Sequence, residues 1–406
     1  MARGAAVAMA MAGAHGDRAS ADAATAVTDG VGVAWDDDGT IAYAGSADGL
    51  PWEPTIGAVD RGCLVPGFVD CHTHLPFVGW RADEFEARLR GASYRDLHGQ
   101  DGGMFRSARM FAEASDDRVL AFSRALLDEM LALGTTALEL KTGYGLSVEH
   151  ELRAARLART LADHVPQTCA VTLLAAHAVP SDVVRTEWVR AACSELIPEA
   201  ARQRLVDAVD VYVEDIAFSL DDLQAIAEAA IAAGLALRVH ADQLGDSGAA
   251  AAAARLGARS ADHLNHCSPG GVAALASGET VAGLLPASTF FLRGKPAPAA
   301  ALREAGVPIA LATDANPGTS PVVSMPEVIA MAASVYEVPP LEALTATTLN
   351  PAWVLGLADR LGTLEIGKRA DIVLLEEPSF AQVPYRPGHD PVVATVVGGI
   401  AVRLET

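Results

Sequence analysis

The residues best placed to do chemistry are two histidines two positions apart, His72 and His74, in the segment Asp70-Cys71-His72-Thr73-His74. In an extended backbone, positions i and i+2 face the same side, so both imidazoles can reach one metal ion. The spacing alone is common. It gains weight from three later places where an apolar run ends in metal-type side chains: His240-Ala241-Asp242-Gln243, Asp262-His263 and Thr313-Asp314. Scattered surface histidines would not all fall at such places, and a set of merely satisfied core residues is the weaker reading. Three histidines and one aspartate suit a divalent transition metal with an open position for water. Such an ion lowers the water pKa toward about 7 and supplies hydroxide at neutral pH. His72, His74, His240 and Asp314 make a complete set, leaving His263 as an electrophile or proton carrier.

These residues need a scaffold that gathers strand ends. Strand-like apolar runs cover residues 64–69, 135–140, 170–175, 209–213, 235–239, 259–261, 280–285 and 307–312. Helix-period segments lie between them at 117–133, 148–162, 220–233 and 298–305. The alternation predicts a parallel sheet, and eight units predict an α/β fold with a closed (β/α)8 barrel over residues 64–358. In such a barrel the chemistry collects at the C-terminal strand ends. The two chain ends read differently. Residues 31–34 and 41–44 flank an acidic turn at 36–40, a hairpin signal, and 362–365, 371–375 and 393–397 are short β-rich runs. Residues 1–63 and 359–406 are expected to build one small β-sandwich domain together. The apolar stretch 5–14 faintly resembles a signal-peptide core, but charges follow at once and no cleavage site closes it, so a loose terminus is expected.

Composition excludes several classes. The chain has 406 residues, 51% hydrophobic and 20% charged, which argues against long disorder, collagen or coiled coil. Lys plus Arg number 30 against 51 Asp plus Glu, a formal charge of −21 without a basic stripe. Nucleic acid and anionic membrane surfaces are therefore poor partners. No apolar run reaches the roughly 18 residues of a membrane helix. Cys63, Cys71, Cys169, Cys193 and Cys267 are scattered and lack CxxC spacing. That speaks against a disulfide framework or structural zinc finger, and for a cytoplasmic protein.

Longer stretches surround the histidines: Pro66-Gly67-Phe68-Val69-Asp70-Cys71-His72-Thr73-His74-Leu75, Lys141-Thr142-Gly143-Tyr144-Gly145-Leu146, Ala176-His177-Ala178-Val179-Pro180, Ser260-Ala261-Asp262-His263-Leu264 and Thr313-Asp314-Ala315-Asn316-Pro317-Gly318-Thr319-Ser320-Pro321. From about residue 31 to the C-terminus the chain resembles the amidohydrolase superfamily of metal-dependent barrel hydrolases. Within it the chain is most similar to the ring-opening hydrolases of histidine degradation, which convert 4-imidazolone-5-propanoate to N-formimidoyl-L-glutamate. The resemblance implies that His72, His74, His240 and Asp314 bind one divalent ion, zinc or iron. It implies that Arg81, Tyr144, His177, Gln243, Asn316, Gly318 and Thr319 surround a small-molecule substrate, and that Asp314 and His263 are catalytic. Dimers are common among such relatives, so a homodimer is an expectation too.

Some of this makes sense on physical grounds. Arg81 offers a bidentate fork for a propionate carboxylate. Tyr144 sits between two glycines that let a ligand approach closely. Asn316-Pro317-Gly318-Thr319 is a turn directly after the metal aspartate. There are also departures. Gln243 stands where relatives also carry Glu and cannot serve as a base. Gln100-Asp101-Gly102-Gly103 has Asp where a third Gly is usual. Some relatives bridge two metals with a carboxylated Lys, which draws attention to Lys141, but four ligands already complete a one-metal site. Two rivals are an amino-heterocycle deaminase of the same superfamily and a non-catalytic barrel scaffold. Gln243 with the Arg81/Tyr144 pair counts against the first, and the intact ligand set against the second.

Overall fold

In the computed structural model the described residues are 4–13, 26–56, 62–92 and 102–404. The N-terminal strands are β1 (Gly4–Gly13), β2 (Ala26–Trp35), β3 (Ile41–Ser46) and β4 (Cys63–Pro66). Eight strands follow: β5 (Phe68–Asp70), β6 (Thr135–Lys141), β7 (Thr168–Ala176), β8 (Ala208–Val213), β9 (Ala236–Ala241), β10 (Ser260–His263), β11 (Val281–Leu284) and β12 (Ile309–Leu311). Neighbours in this series pair in parallel and in chain order. All seven residues of β6 and all six of β8 are buried, as expected for strands covered on both faces. The ring closes just beyond the strand ends, where Asp314 N–H donates to His72 O and His74 N–H to Ala315 O, both at 2.9 Å. The closing hydrogen bonds thus run through three of the expected metal ligands.

Helices Asp116–Ala132, Val148–His164 and Leu220–Ala232 lie between strands and start at serines. Ser115, Ser147 and Ser219 each accept a backbone N–H of the first turn, and Ser219 forms a capping box with Asp222. The caps fix where each helix begins, and so how long a loop stands above each strand.

The chain ends together form a seven-stranded sheet, with β13 (Ile372–Leu375), β14 (Val392–Val397) and β15 (Ile400–Leu404) in the order β15-β14-β13-β4-β1-β2-β3. It folds over an apolar cluster of its own that includes Val31, Trp35, Ile41, Leu64, Ile372, Leu374 and Val396. The Trp35 indole N–H crosses to Gly399 O at 2.9 Å, tying β2 to the β14–β15 turn.

Three details differ from the sequence reading. The run at 64–69 divides at Gly67: β4 joins the terminal sheet, pairing with β1 and β13, while β5 opens the barrel. A Cβ on Gly67 would lie 2.1 Å from Thr136 Oγ1, so the crossing is too tight for a side chain. Residues 4–13 are not a loose terminus but a strand paired with β2 from Gly4–Trp35 to Gly13–Ala26. Residues 362–365 form no strand. The expectation for Gln100 and Asp101 lies outside the described residues, as does the rest of the N-terminal stretch before residue 26.

Candidate active site

His72, His74, His240, His263 and Asp314 converge at the C-terminal end of the barrel, all buried. His72 Nε2 lies 3.0 Å from His240 Nε2, and His240 Nε2 lies 3.4 Å from His74 Nε2. Asp314 Oδ1 is 3.2 Å from His74 Nε2 and 3.7 Å from His72 Nε2. His263 shares a second group with His72 and Asp314, whose ligand atoms lie within 4.8 Å of one another. Three strand-end residues, Asp242, His263 and Asp314, have positive φ of 51°, 78° and 54°. Non-glycine residues held there store about 1–3 kcal/mol each, and the turn re-aims the chain as it leaves the strand.

The donor set fits a divalent cation. His72 Nδ1 is 2.7 Å from Asp262 Oδ2, and His240 Nδ1 is 3.1 Å from Asp210 Oδ1. An imidazole that donates Nδ1–H to a carboxylate presents a bare Nε2 lone pair. Burial holds His72 and His74 well below the ordinary histidine range, with repulsion from Lys141 and His240 adding to it. Neutral nitrogens aimed at one another this closely repel unless a cation sits among them, and a carboxylate oxygen completes the set. Histidine nitrogens with one carboxylate suit a divalent transition ion.

The surrounding carboxylates have distinct tasks. Asp70 accepts Thr313 O–H at 2.6 Å and Thr313 N–H at 3.2 Å, joining the ends of the first and last barrel strands. Burial pushes its carboxyl up to about 7, against these hydrogen bonds. Asp242 accepts the N–H groups of Ser247, Ala249 and Ala250, and so anchors the loop and helix after β9. Burial raises the Asp314 carboxyl, opposed by His263 and His240. Burial lowers His263 to about 3, so its imidazole is neutral at physiological pH.

Above the cluster is a small, partly open cavity. Arg81, Tyr144, His177, Gln243, Asn316 and Thr319 all line it, as do His263 and Asp314. Gly318 does not line it; it packs beneath Arg81, where an added Cβ would fall 1.7 Å from Nη2. His177 stacks on His74 at 5.1 Å and holds Gly143 O through Nδ1 at 3.0 Å. Two expectations change in detail. Arg81 is not a free fork: Nη1 donates to Gly103 O and Ser107 Oγ, and Nε lies 3.2 Å from Glu84, leaving Nη2 as the remaining donor end. Asn316 Oδ1 accepts the N–H groups of Gly318 and Thr319 at 2.9 and 2.8 Å, so those donors are turned into the loop itself. Lys141 Nζ lies between Glu139 and Asp210, 2.7 Å from each, among the buried ion pairs.

Sequence reasoning missed Met104 and Tyr212, which also line the cavity, and the buried charges Glu139, Asp210 and Arg238. The charges had a signal. Glu139 with Lys141 and Arg238 with His240 are i, i+2 pairs in apolar strands, so each pair faces the barrel interior. Met104 and Tyr212 had none, being ordinary core residue types.

The amidohydrolase family model matches residues 63–402. The imidazolonepropionase of Xanthomonas campestris pv. campestris (strain 8004) is 42% identical over 371 residues, which cover 91% of this chain and 92% of that protein. That of Methylobacterium sp. (strain 4-46) is 43% identical over 366 residues, covering 89% and 92%. Among solved structures, guanine deaminase from Bradyrhizobium japonicum superposes with a TM-score of 0.76 at 16% identity over the full length of both chains, a likeness of fold.

Proposed function

The chain belongs to the amidohydrolase family, and we propose that it is an imidazolonepropionase, hydrolysing the cyclic amide of 4-imidazolone-5-propanoate to N-formimidoyl-L-glutamate in histidine degradation. Identity of about 42% across nine-tenths of the chain carries this reading. The site supports it: His72, His74, His240 and Asp314 would hold one divalent ion, zinc or iron, beneath a cavity with a buried arginine on its wall. When bound, such an ion supplies electrophilic polarisation and a water acidified toward about 7.

The protein's own groups do the rest. Asp314, raised by burial and at the edge of the cavity, accepts a proton from the attacking water. The water oxygen bonds to the ring carbonyl carbon, the ring C–N bond breaks, and the leaving nitrogen takes the proton that Asp314 accepted. His263, neutral, donates a hydrogen bond to the carbonyl oxygen as charge develops there. Gln243 has no proton-accepting role and hydrogen-bonds the ring. The Arg81 Nη2 end, with Tyr144 and His177 beside it, receives the propionate and sets which carbon meets the water. Positioned acid–base groups of this kind contribute about 10²–10⁴-fold. The substrate is a small molecule, and scattered cysteines support a cytoplasmic location. Among the described residues no helix is long and apolar enough to cross a membrane.

The test is to follow loss of the ultraviolet absorbance of freshly generated 4-imidazolone-5-propanoate, with metal content measured on the same sample. Fast, chelator-sensitive loss yielding N-formimidoyl-L-glutamate is expected. No loss above spontaneous decay from metal-loaded protein would overturn the assignment, and turnover of an amino-heterocycle instead would make the protein a deaminase.

A further inference from the structure

Two of the proposed ligands lean on carboxylates, and those carboxylates are linked. Asp262 Oδ2 holds His72 Nδ1 at 2.7 Å and also meets Arg238 Nη2 at 3.2 Å. Asp210 holds His240 Nδ1 and meets Lys141 Nζ at 2.7 Å. Both cations then meet on one residue, Glu139: Arg238 Nη1 on Oε1, and Lys141 Nζ on Oε2 at 2.7 Å. Thr172 Oγ1 donates to Oε1 as well. The five charged side chains are at most 1% exposed. An alternating series, Asp262–Arg238–Glu139–Lys141–Asp210, therefore runs beneath the site from one metal histidine to another. Arg238 and Thr172 also line a second, solvent-open pocket, together with Ile231, Gly234 and Leu355.

We propose that Glu139 is a positioning residue that joins the carboxylate supports of His72 and His240 into one electrostatic unit and so sets the affinity of the site for its divalent ion. The inference rests on the metal reading above. With all groups ionised, three carboxylates against two cations leave one surplus negative charge. Glu139 alone faces both cations and touches neither histidine. If its charge is removed, Arg238 and Lys141 are left to draw on Asp262 and Asp210. Those carboxylates then accept the imidazole N–H groups less strongly, and the site loses part of its attraction for a cation.

The experiment measures zinc dissociation from the full-length protein by competition with a chromophoric chelator, alongside the visible spectrum of the cobalt-loaded form. Glu139→Gln is expected to raise the dissociation constant about 10–100-fold and to shift the cobalt spectrum, with the circular dichroism of the metal-free protein unchanged. Arg238→Lys keeps the charge but loses the fork that meets Glu139 through Nη1 and Asp262 through Nη2, and is expected to weaken zinc in the same direction. A folded Glu139→Gln protein that binds zinc like the parent, with the same cobalt spectrum, overturns the proposal. Should Glu139→Gln fail to fold, Thr172→Val removes one hydrogen bond to Glu139 alone: several-fold weaker zinc binding supports the proposal, and unchanged binding overturns it. A parent protein that binds no zinc, cobalt or iron removes the metal reading and this inference with it, whereas tight parental binding with unaffected variants removes this inference only.

Discussion

Arg81 shows how much a single residue depends on its neighbours. It is almost fully buried, its Nη1 is committed to Gly103 and Ser107, and its guanidinium lies against Gly318. The glycine is needed because any side chain there would occupy the guanidinium's place. Losing a hydrogen bond to a charged group removes about 1.5–3 kcal/mol, or about 10–150-fold in binding. Arg81→Ala is therefore expected to raise KM by roughly that factor with a smaller change in kcat. Gly318→Ala should reproduce the direction of that effect without touching the reacting groups. Steady-state kinetics on both variants check this, and a kcat loss with unchanged KM would place Arg81 away from the carboxylate. Asp314→Asn should abolish turnover and weaken metal binding together, since one carboxylate is assigned both tasks; turnover and zinc content of the purified variant test it.

At the scale of elements, the loop after β6 and the following helix are interlocked. Glu151, in helix Val148–His164, accepts the N–H groups of Gly143, Gly145 and Leu146 at 3.0, 2.6 and 3.0 Å. A Cβ on Gly145 would lie 2.4 Å from Glu151 N, so loop and helix touch backbone to backbone. Tyr144 is carried on this loop, which the Glu151 carboxylate pins from below through its neighbours' N–H groups, and packs on His74 and His177. Glu151→Ala leaves three donors without their acceptor and should destabilise the protein on the order of 2–4 kcal/mol, read by chemical denaturation, with KM raised as Tyr144 loosens. Burial raises the Glu151 carboxyl above its ordinary 4.5, against the hydrogen bonds it accepts. A raised folded value means that this group's contribution is fully present below 4.5 and is lost as pH rises through the folded value. Glu151→Gln should flatten that part of the stability–pH curve.

For the whole molecule, the barrel and the terminal sheet are coupled at Gly67, and the sheet has its own core around Trp35. Trp35→Ala should cost about 3–5 kcal/mol, seen as a lower denaturation midpoint. The larger lever is the metal. A ligand bound to the folded state alone stabilises by about 4 kcal/mol at a thousandfold excess over its dissociation constant. Chelation should therefore lower Tm and abolish turnover together, and readdition of zinc or iron should restore both. Recovery of Tm without turnover would separate the structural from the chemical role of the ion.

By itself the sequence determined the eight-unit alternation, the two β-rich ends and the polar residues that close apolar strands, because period and position along one strand are local properties. His72, His74, His240, His263 and Asp314 were legible for that reason. Tertiary structure alone decided what reaches across strands. The division at Gly67 follows from steric contact with Thr136, a residue 69 positions later. The pairing of Glu139 with Arg238 and Lys141, the tie of Asp70 to Thr313, and the commitment of Arg81 Nη1 to residues 103 and 107 all join side chains from different elements. A buried charge is stable only with its partner in place, and which partner it finds depends on barrel closure and register, which no local pattern in the chain records.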